Sequence, residues 1–229
     1  AAPIQGTWID GTFGAGGYSK YLLGAGADQV IGIDRDPSVF AMAESWAGAF
    51  GDRLRLVQDT FSNLDQVTEQ ADGVVLDIGV SSMQIDQADR GFSFQKDGPL
   101  DMRMDPTNGI SCADFIKELS ESELADILID YGEEKFAKKI ARNIKEHLKS
   151  EDITNTLTLA KIIESSIPRK FHERNKHPAT RSFQALRIAV NKELDVIKDV
   201  ILQLKDIIAP EGRVSFITFH SLEDRIIKQ

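Results

Sequence analysis

The sequence predicts an α/β fold in which a parallel sheet is interrupted by an inserted helical subdomain. Short apolar runs alternate with helical patterns in the first third of the chain, as parallel strands and their crossover helices do. Helical periodicity alone then fills the middle, and one more apolar run near the end resumes the sheet. A length of 229 residues is enough for one large domain with such an insertion.

The strands are predicted at residues 8–13, 30–34, 54–58 and 73–78, with a fifth at 214–219. Helices at 18–23 and 37–50 connect the first three, and Pro37 suits a first helical turn with Asp36 as its cap. This order of elements is that of a parallel sheet with crossover helices.

The insertion begins with a loop rich in Gly, Asp and Arg and continues as helices. Ser111 is placed to cap a helix over 113–119, and Ser120 with Glu123 predicts a capping box before the next helix. Further helices are predicted at 136–148, at 157–166 and, as one long helix, at 182–208. We therefore expect residues 1–88 and 182–229 to form the sheet domain and residues 89–181 the helical subdomain.

Composition limits the class of protein. A hydrophobic content of 41% and a charged content of 28% are typical of a soluble globular protein. No apolar run is long enough to span a bilayer, and no secretory signal opens the chain, so we expect a cytoplasmic protein without membrane contact. The single cysteine, Cys112, excludes an internal disulfide, and no compact set of ligands indicates a metal.

The charge is distributed unevenly. The chain holds 27 Lys and Arg against 36 Asp and Glu, yet residues 135–181 hold 12 against 5. Such an asymmetry is expected where one region meets a polyanion, although a solvated helix face would also produce it. The candidate nucleic-acid contacts in this region are Lys138, Lys139, Arg142, Arg169, Lys170, Lys176 and Arg181.

A glycine-rich turn after the first strand predicts a cofactor site. Asp10 is followed by Gly14, Gly16 and Gly17, and a second strand ends in Asp34 about twenty residues on. The third glycine of a dinucleotide fingerprint would fall at position 19, which is serine. A carboxylate in the loop repels a pyrophosphate but suits the cationic S-adenosylmethionine (AdoMet).

Acidic residues mark the ends of four predicted strands, at Asp10, Asp34, Asp59 and Asp77. In an open α/β sheet these positions surround the ligand crevice. Asp34 is placed to accept two ribose hydroxyls, and Phe61 to lie against an adenine ring. Asp77 stands where a transferable group would meet its acceptor. Taken alone, each of the four acids could instead be a helix cap or a turn residue.

Two loops combine charge, glycine and aromatic residues. Residues 90–105 and 176–184 resemble the walls of a pocket that holds a base between aromatic rings, and the second also suits a phosphate site at a helix start. A structural network of ion pairs is the alternative. The polar candidates in these loops are Asp101, Arg103, Asp105 and His177.

Several runs together resemble the RsmH/MraW family over essentially the whole chain. They are residues 10–17, 33–37, 79–86, 90–105, 131–134, 177–184 and 219–225. The resemblance implies a Rossmann-like, AdoMet-dependent methyltransferase fold with a helical insertion that recognises the substrate. It implies methylation of the exocyclic N4 amine of a cytidine in small-subunit ribosomal RNA, so that the small ribosomal subunit is the partner.

By this resemblance, the cofactor-contacting positions are Gly16, Gly17, Tyr18, Asp34, Phe61, Asp77 and Gln84. Many members of the family have histidine where this chain has Tyr18. Members usually also carry a further amino-terminal segment and a longer carboxyl-terminal tail, on which we expect full RNA affinity to depend. The oligomeric state stays open.

Asp77 is the leading candidate to orient the target amine, because this weak nucleophile needs positioning and a proton acceptor. Gly79–Ser82 replaces the Pro-Pro-aromatic sequence of DNA amino-methyltransferases. Asp101, Arg103, Asp105, His177 and His220 follow as candidates. Two alternatives remain: a nicotinamide-dependent oxidoreductase, and a non-catalytic RNA-binding factor of ribosome assembly.

Overall fold

The computed structural model describes residues 4–229, in which five parallel strands form one sheet. The strands are β1 (Thr7–Asp10), β2 (Gln29–Asp34), β3 (Leu54–Gln58), β4 (Ala71–Asp77) and β5 (Ile208–Ile217). They follow the spatial order β3-β2-β1-β4-β5, which is Rossmann-like and confirms the α/β fold class.

Most of the helical residues lie between β4 and β5 in the sequence, as the predicted insertion requires. The helices before β4 are α1 (Gly17–Ala25), α2 (Ser38–Ala47) and α3 (Leu64–Val67). Those between β4 and β5 are α4 (Ser82–Asp86), α5 (Cys112–Glu118), α6 (Glu121–Asp130), α7 (Ala137–Leu148), α8 (Thr156–Ser166), α9 (Thr180–Asn191) and α10 (Glu193–Ile207). Helix α11 (Ser221–Ile227) follows β5.

The chain divides into two compact units. The sheet unit contains the chain up to Gly79 together with Glu193–Gln229, and the helical unit contains Val80–Lys192. In the sheet unit, Trp8, Val30 and Val75 of three adjacent strands pack with Leu22 and Leu23 of α1. These apolar strands are buried on both sides, which explains why they read as continuous apolar runs.

The helical unit has its own core. Met102, Ile116, Leu128, Ile140 and Ile144 are completely buried there, so the apolar faces of α5, α6 and α7 meet in one cluster. The caps predicted in this unit are confirmed, whereas the N-cap of α2 in the sheet unit is Pro37 and not the predicted Asp36. Ser111 accepts a hydrogen bond from the Asp114 amide, and the capping box at the start of α6 is formed in both directions.

The prediction of one long helix over 182–208 is wrong, because the helix breaks at Lys192. Lys192 adopts the left-handed conformation with φ 50° and ends α9 before α10 begins. The preceding Asn191 accepts a hydrogen bond from the Met104 amide and donates one to the Met102 carbonyl. These contacts join residues far apart in the sequence, so the helical periodicity does not reveal them.

Candidate functional site

The candidate site lies at the carboxyl edge of the sheet, where the strand order reverses. β1 and β4 are neighbours, with Asp10 paired to Val75. From β1 the chain continues to β2 on one side of this pair, and from β4 it continues to β5 on the other side. Ligands of open α/β sheets bind in the crevice beside such a reversal. Asp10, Asp34 and Asp77 end their strands, and Asp59 comes one residue after β3. The four predicted acids therefore share this edge.

Asp34 closes the glycine-rich loop onto the second strand. Its Oδ2 accepts a hydrogen bond from the Gly14 amide at 2.8 Å, and its Oδ1 accepts one from the Asp36 amide at 2.9 Å. Gly14 and Gly16 both have positive φ, a conformation that favours glycine. Burial raises the pKa of the Asp34 carboxyl above its ordinary value, although the two amides act against this.

Asp10 lies behind the loop and holds the start of α1. Its side chain is completely buried, and its Oδ2 accepts hydrogen bonds from both the amide and the hydroxyl of Ser19, at 3.0 and 2.7 Å. Burial raises the pKa of the Asp10 carboxyl to about 6 despite these bonds. The residue predicted to face a cationic ligand is thus also part of the framework of the loop.

Asp77 is held from two directions. Its amide donates to the Thr12 hydroxyl at 2.8 Å, and its Oδ2 accepts a hydrogen bond from the Tyr18 hydroxyl at 3.2 Å. Its other carboxylate oxygen, Oδ1, is buried and has no hydrogen-bond partner among the described residues. A buried acceptor without a partner is costly, so this oxygen is available for a donor on a ligand.

The third strand contributes a turn and an aromatic ring to the same edge. Asp59 Oδ1 accepts hydrogen bonds from the Thr60 amide and from Asn63 Nδ2, both at 2.7 Å. Phe61 is only 8% exposed, and a Cβ added to Gly11 would lie 3.1 Å from the Phe61 Cβ. The Phe61 Cβ therefore lies close to the backbone at Gly11. A glycine at position 11 permits this approach.

The remaining predicted cofactor contact, Gln84, belongs to the helical unit. Ser81 and Gln84 form a capping box at the start of α4, in which the Gln84 side chain accepts from the Ser81 amide at 3.1 Å. Gln84 is buried, so one role of its amide group is to hold this short helix. Its contact with a cofactor stays a prediction.

Asp101 and Arg103 form a bidentate ion pair. Arg103 Nε lies 2.8 Å from Asp101 Oδ1, and Arg103 Nη2 lies 2.7 Å from Asp101 Oδ2. Burial raises the pKa of the Asp101 carboxyl, but the Arg103 hydrogen bonds outweigh it and the pKa lies below its ordinary value. A carboxylate of low pKa is a weak proton acceptor, so this pair favours a structural role.

His177 packs on an aromatic ring of the helical unit. Its ring centroid lies 4.5 Å from that of Phe94, and its Nδ1 accepts a hydrogen bond from the Ala179 amide at 3.1 Å. Since Nδ1 is an acceptor, the neutral ring carries its proton on Nε2. His177 therefore offers a donor to a ligand.

Comparison with known proteins identifies the family. The sequence model of the MraW methylase family matches residues 3–229 of this chain. The chain belongs to the MraW methylase family. The predicted resemblance is thus confirmed.

Curated relatives named "Ribosomal RNA small subunit methyltransferase H" match this chain over its whole length. The relative from Cereibacter sphaeroides is 58% identical, with 69% of its own length covered. Those from Ruegeria sp. and Roseobacter denitrificans are 55% and 52% identical, with 69% and 68% covered. The likeness to solved structures is slight: an rRNA methylase from Streptococcus thermophilus is 16% identical, with a TM-score of 0.30 over 51% of this chain and 72% of that one.

The basic candidates lie on two segments of the helical unit, where Lys176 and Arg181 are partly buried and the others are exposed. Lys138, Lys139 and Arg142 lie on the solvent side of α7, where Arg142 also forms an exposed ion pair with Glu121 at 3.5 Å. Lys145, on the same helix, donates to the carbonyl of Ile116 at 2.6 Å. The second segment follows α8 and carries Arg169, Lys170, Lys176 and Arg181.

Sequence reasoning missed three residues of the sheet unit that position the site. Thr12 and Ser19 hold Asp77 and Asp10 through their hydroxyls. Glu223 is 1% exposed and accepts hydrogen bonds from the amides of Phe219 and His220, which fixes the turn after β5. The spacing of His220 and Glu223 is that of a capping box, a signal that could have identified this glutamate.

The described residues contain neither a metal-ligand cluster nor a helix that could span a membrane. Between residues 4 and 229, no three His, Cys, Asp or Glu side chains come together as metal ligands. Within the same range, no helix is long and apolar enough to cross a membrane.

Proposed function

We propose that this protein transfers a methyl group from AdoMet to the exocyclic N4 amine of a cytidine in small-subunit ribosomal RNA. Membership of a methylase family and relatives named as small-subunit rRNA methyltransferases support the reaction class. The single observation that carries the proposal is the buried Oδ1 of Asp77, which lacks a partner among the described residues at the point where the strand order reverses.

The loop residues fit AdoMet better than a dinucleotide. The amides of Phe13, Gly14, Gly16 and Ser19 all donate to groups of the protein itself. A dinucleotide fold aims such amides at a pyrophosphate, so few are left for one here. Asp10, whose pKa of about 6 leaves it mainly ionised at neutral pH, adds a negative charge that a pyrophosphate would meet. These observations disfavour the oxidoreductase alternative.

Asp34 is suited to the ribose of this cofactor. An ionised carboxylate has about four acceptor sites, and the amides of Gly14 and Asp36 occupy one on each oxygen. The remaining sites would accept two hydroxyls. Gly16, Gly17, Tyr18 and Phe61 would complete the cofactor contacts from the loop, from α1 and from the turn after β3.

Asp77 would hold the target amine. AdoMet, when bound, supplies an electrophilic methyl group. Asp77 Oδ1 would accept a hydrogen bond from the amine, its negative charge favours the nitrogen as positive charge develops there, and the proton that the methylated nitrogen loses would pass to this oxygen. Tyr18 fixes the carboxylate by its bond to Oδ2. Burial and the neighbouring Asp77 charge raise the pKa of Tyr18, which keeps its hydroxyl protonated as the donor.

The helical subdomain, proposed as residues 89–181, would recognise the RNA. Exposed cations on α7 and on the segment after α8 would contact phosphates. His177 would offer its Nε2 proton to the same substrate. We expect the reaction to take place in the cytoplasm.

The test is methyl transfer from labelled AdoMet to small ribosomal subunits prepared from cells that lack this enzyme. The RNA is digested to nucleosides and the labelled product identified. We expect N4-methylcytidine. Label in another nucleoside would contradict the proposed position on the base, and binding to the subunit with no transfer would favour the assembly-factor alternative.

A further inference from the structure

Phe171 is an exposed aromatic residue in the helical unit. It ends a single 3₁₀ turn, Arg169–Phe171, and 52% of it is exposed. Its ring contacts Phe136, with centroids 5.1 Å apart and planes tilted by 55°. Phe136 thus supports the ring from within the unit and leaves about half of it in solvent.

Cations surround this ring. The segment from Arg169 to Arg181 carries five Lys and Arg against one acid, Glu173. Lys170 Nζ lies 5.1 Å from the centroid of the Phe171 ring. Lys135 and Lys176 line the cleft beside it together with the acids Glu134 and Glu173, and neither lysine has an ion-pair partner in the part of the chain that the structure describes.

The cleft also contains a weak ion pair that a ligand can replace. Arg181 Nη2 lies 2.9 Å from Glu173 Oε1, with exposed side-chain fractions of 33% and 55%. Exposed pairs of this kind contribute little to stability, so exchange of the carboxylate for a phosphate costs little. The cleft therefore combines an aromatic surface, free ammonium groups and an exchangeable guanidinium.

We propose that this cleft binds one unpaired nucleotide of the substrate RNA, with the base stacked on Phe171 and the adjoining phosphates at Lys170 and Lys176. The inference rests on the proposed function and adds a binding residue that carries no charge. Only an unpaired base offers its face to a ring, so the cleft selects single strands over duplexes. The excess of cations favours RNA over an apolar peptide segment.

The experiment measures binding of a fluorescent single-stranded RNA and of a duplex of the same sequence by anisotropy. The variants are Phe171→Ala, Phe171→Leu and Phe171→Trp, and the control is Leu202→Ala, which removes a side chain of the sheet unit from a residue that is 64% exposed. Loss of stacking at one base weakens binding by roughly fivefold or more. We expect this loss for the single strand with Ala and Leu, and near wild-type affinity with Trp and with the control.

Salt dependence separates stacking from charge. Because Phe171 neutralises no phosphate, Phe171→Ala should lower the affinity without changing the log–log slope against salt. Lys170→Gln should reduce that slope by about 0.7. Wild-type affinity of Phe171→Ala, an equal loss on the duplex, or a failure of Trp to restore binding would each overturn the inference. Failure of the proposed function would give a different result. In that case the wild-type protein would transfer no methyl group to the RNA, even if it bound the oligonucleotide with the expected affinity.

Discussion

Asp77 accepts a hydrogen bond from Tyr18, with 3.2 Å between Oδ2 and Oη, although the two residues stand 59 positions apart. The bond joins the first helix to the end of β4 across the point where the strand order reverses. It leaves Oδ1 as the buried oxygen without a partner among the described residues. One oxygen of this carboxylate is thus fixed by the protein, and the other is presented to a ligand.

Tyr18→Phe should therefore slow methyl transfer more than it weakens AdoMet binding. Loss of one hydrogen bond of roughly 0.5–1.5 kcal/mol corresponds to about two- to twelvefold in the rate. Tyr18→His should retain most of the rate, because histidine can also donate to Asp77. Single-turnover rates at saturating AdoMet and RNA provide the measurement, and a wild-type rate for Tyr18→Phe would show that the bond does not act in catalysis.

Asp34→Ala should weaken AdoMet binding. Loss of charge-assisted hydrogen bonds of roughly 1.5–3 kcal/mol corresponds to about ten- to a hundredfold in Kd. Asp34→Asn should lose less, since its amide oxygen still accepts from one loop amide. Calorimetry gives Kd, and Asp65→Ala, at an exposed position of α3, is the control. An unchanged Kd in folded Asp34→Ala would remove the residue from the cofactor site.

Asp10 makes the protein less stable as pH rises. Its pKa is about 6 in the folded state and 3.8 as an ordinary carboxyl, so the folded state binds the proton more tightly. Below its ordinary pKa this acid therefore costs no stability, because it is protonated in the folded and the unfolded state. As pH rises from 3.8 to about 6, its preference for the proton in the folded state lowers the free energy of unfolding, and above about 6 the loss is complete. Asp10→Asn removes the penalty while its amide oxygen keeps the bonds from Ser19.

We expect the stability of Asp10→Asn relative to wild type to increase by about 2 kcal/mol between about pH 4.5 and about pH 7. Urea unfolding of both proteins at the two pH values measures this difference. If the two proteins show the same change with pH, Asp10 does not titrate in this range.

Lys138→Gln with Lys139→Gln should weaken RNA binding and leave AdoMet affinity unchanged. Each cation that meets a phosphate contributes about 0.7–0.9 to the log–log salt slope, so the double variant should lose about 1.4–1.8. Lys205→Gln, on α10 of the sheet unit, is the control. Parallel slopes for wild type and the double variant would instead indicate a solvated helix face.

Local signals in the sequence predicted much of the fold. The capping box of Ser120 and Glu123 depends on residues three apart, and the apolar strands depend on continuous burial, so both appear in short stretches of sequence. The acids at the strand ends could likewise be assigned to one edge, because parallel strands end there together.

Contacts between distant residues could not be predicted. The periodicity of α9 continues past Lys192 and does not reveal the bonds from Asn191 to residues 102 and 104 beside the break. Lys145 has the spacing of an exposed residue but reaches the carbonyls of Ile116 and Lys117 at the end of α5. The bond between Tyr18 and Asp77 likewise depends on the packing of α1 against the sheet.

The central claim is that Asp77 holds the target amine for methyl transfer. The direct test is the single-turnover rate of N4-methylcytidine formation by wild type and by Asp77→Asn, at saturating AdoMet and saturating small-subunit RNA. Asn keeps the shape of the side chain and removes its charge. We predict a rate lower by about a hundredfold or more, with RNA affinity within about twofold of wild type. An unchanged rate in Asp77→Asn would contradict the account.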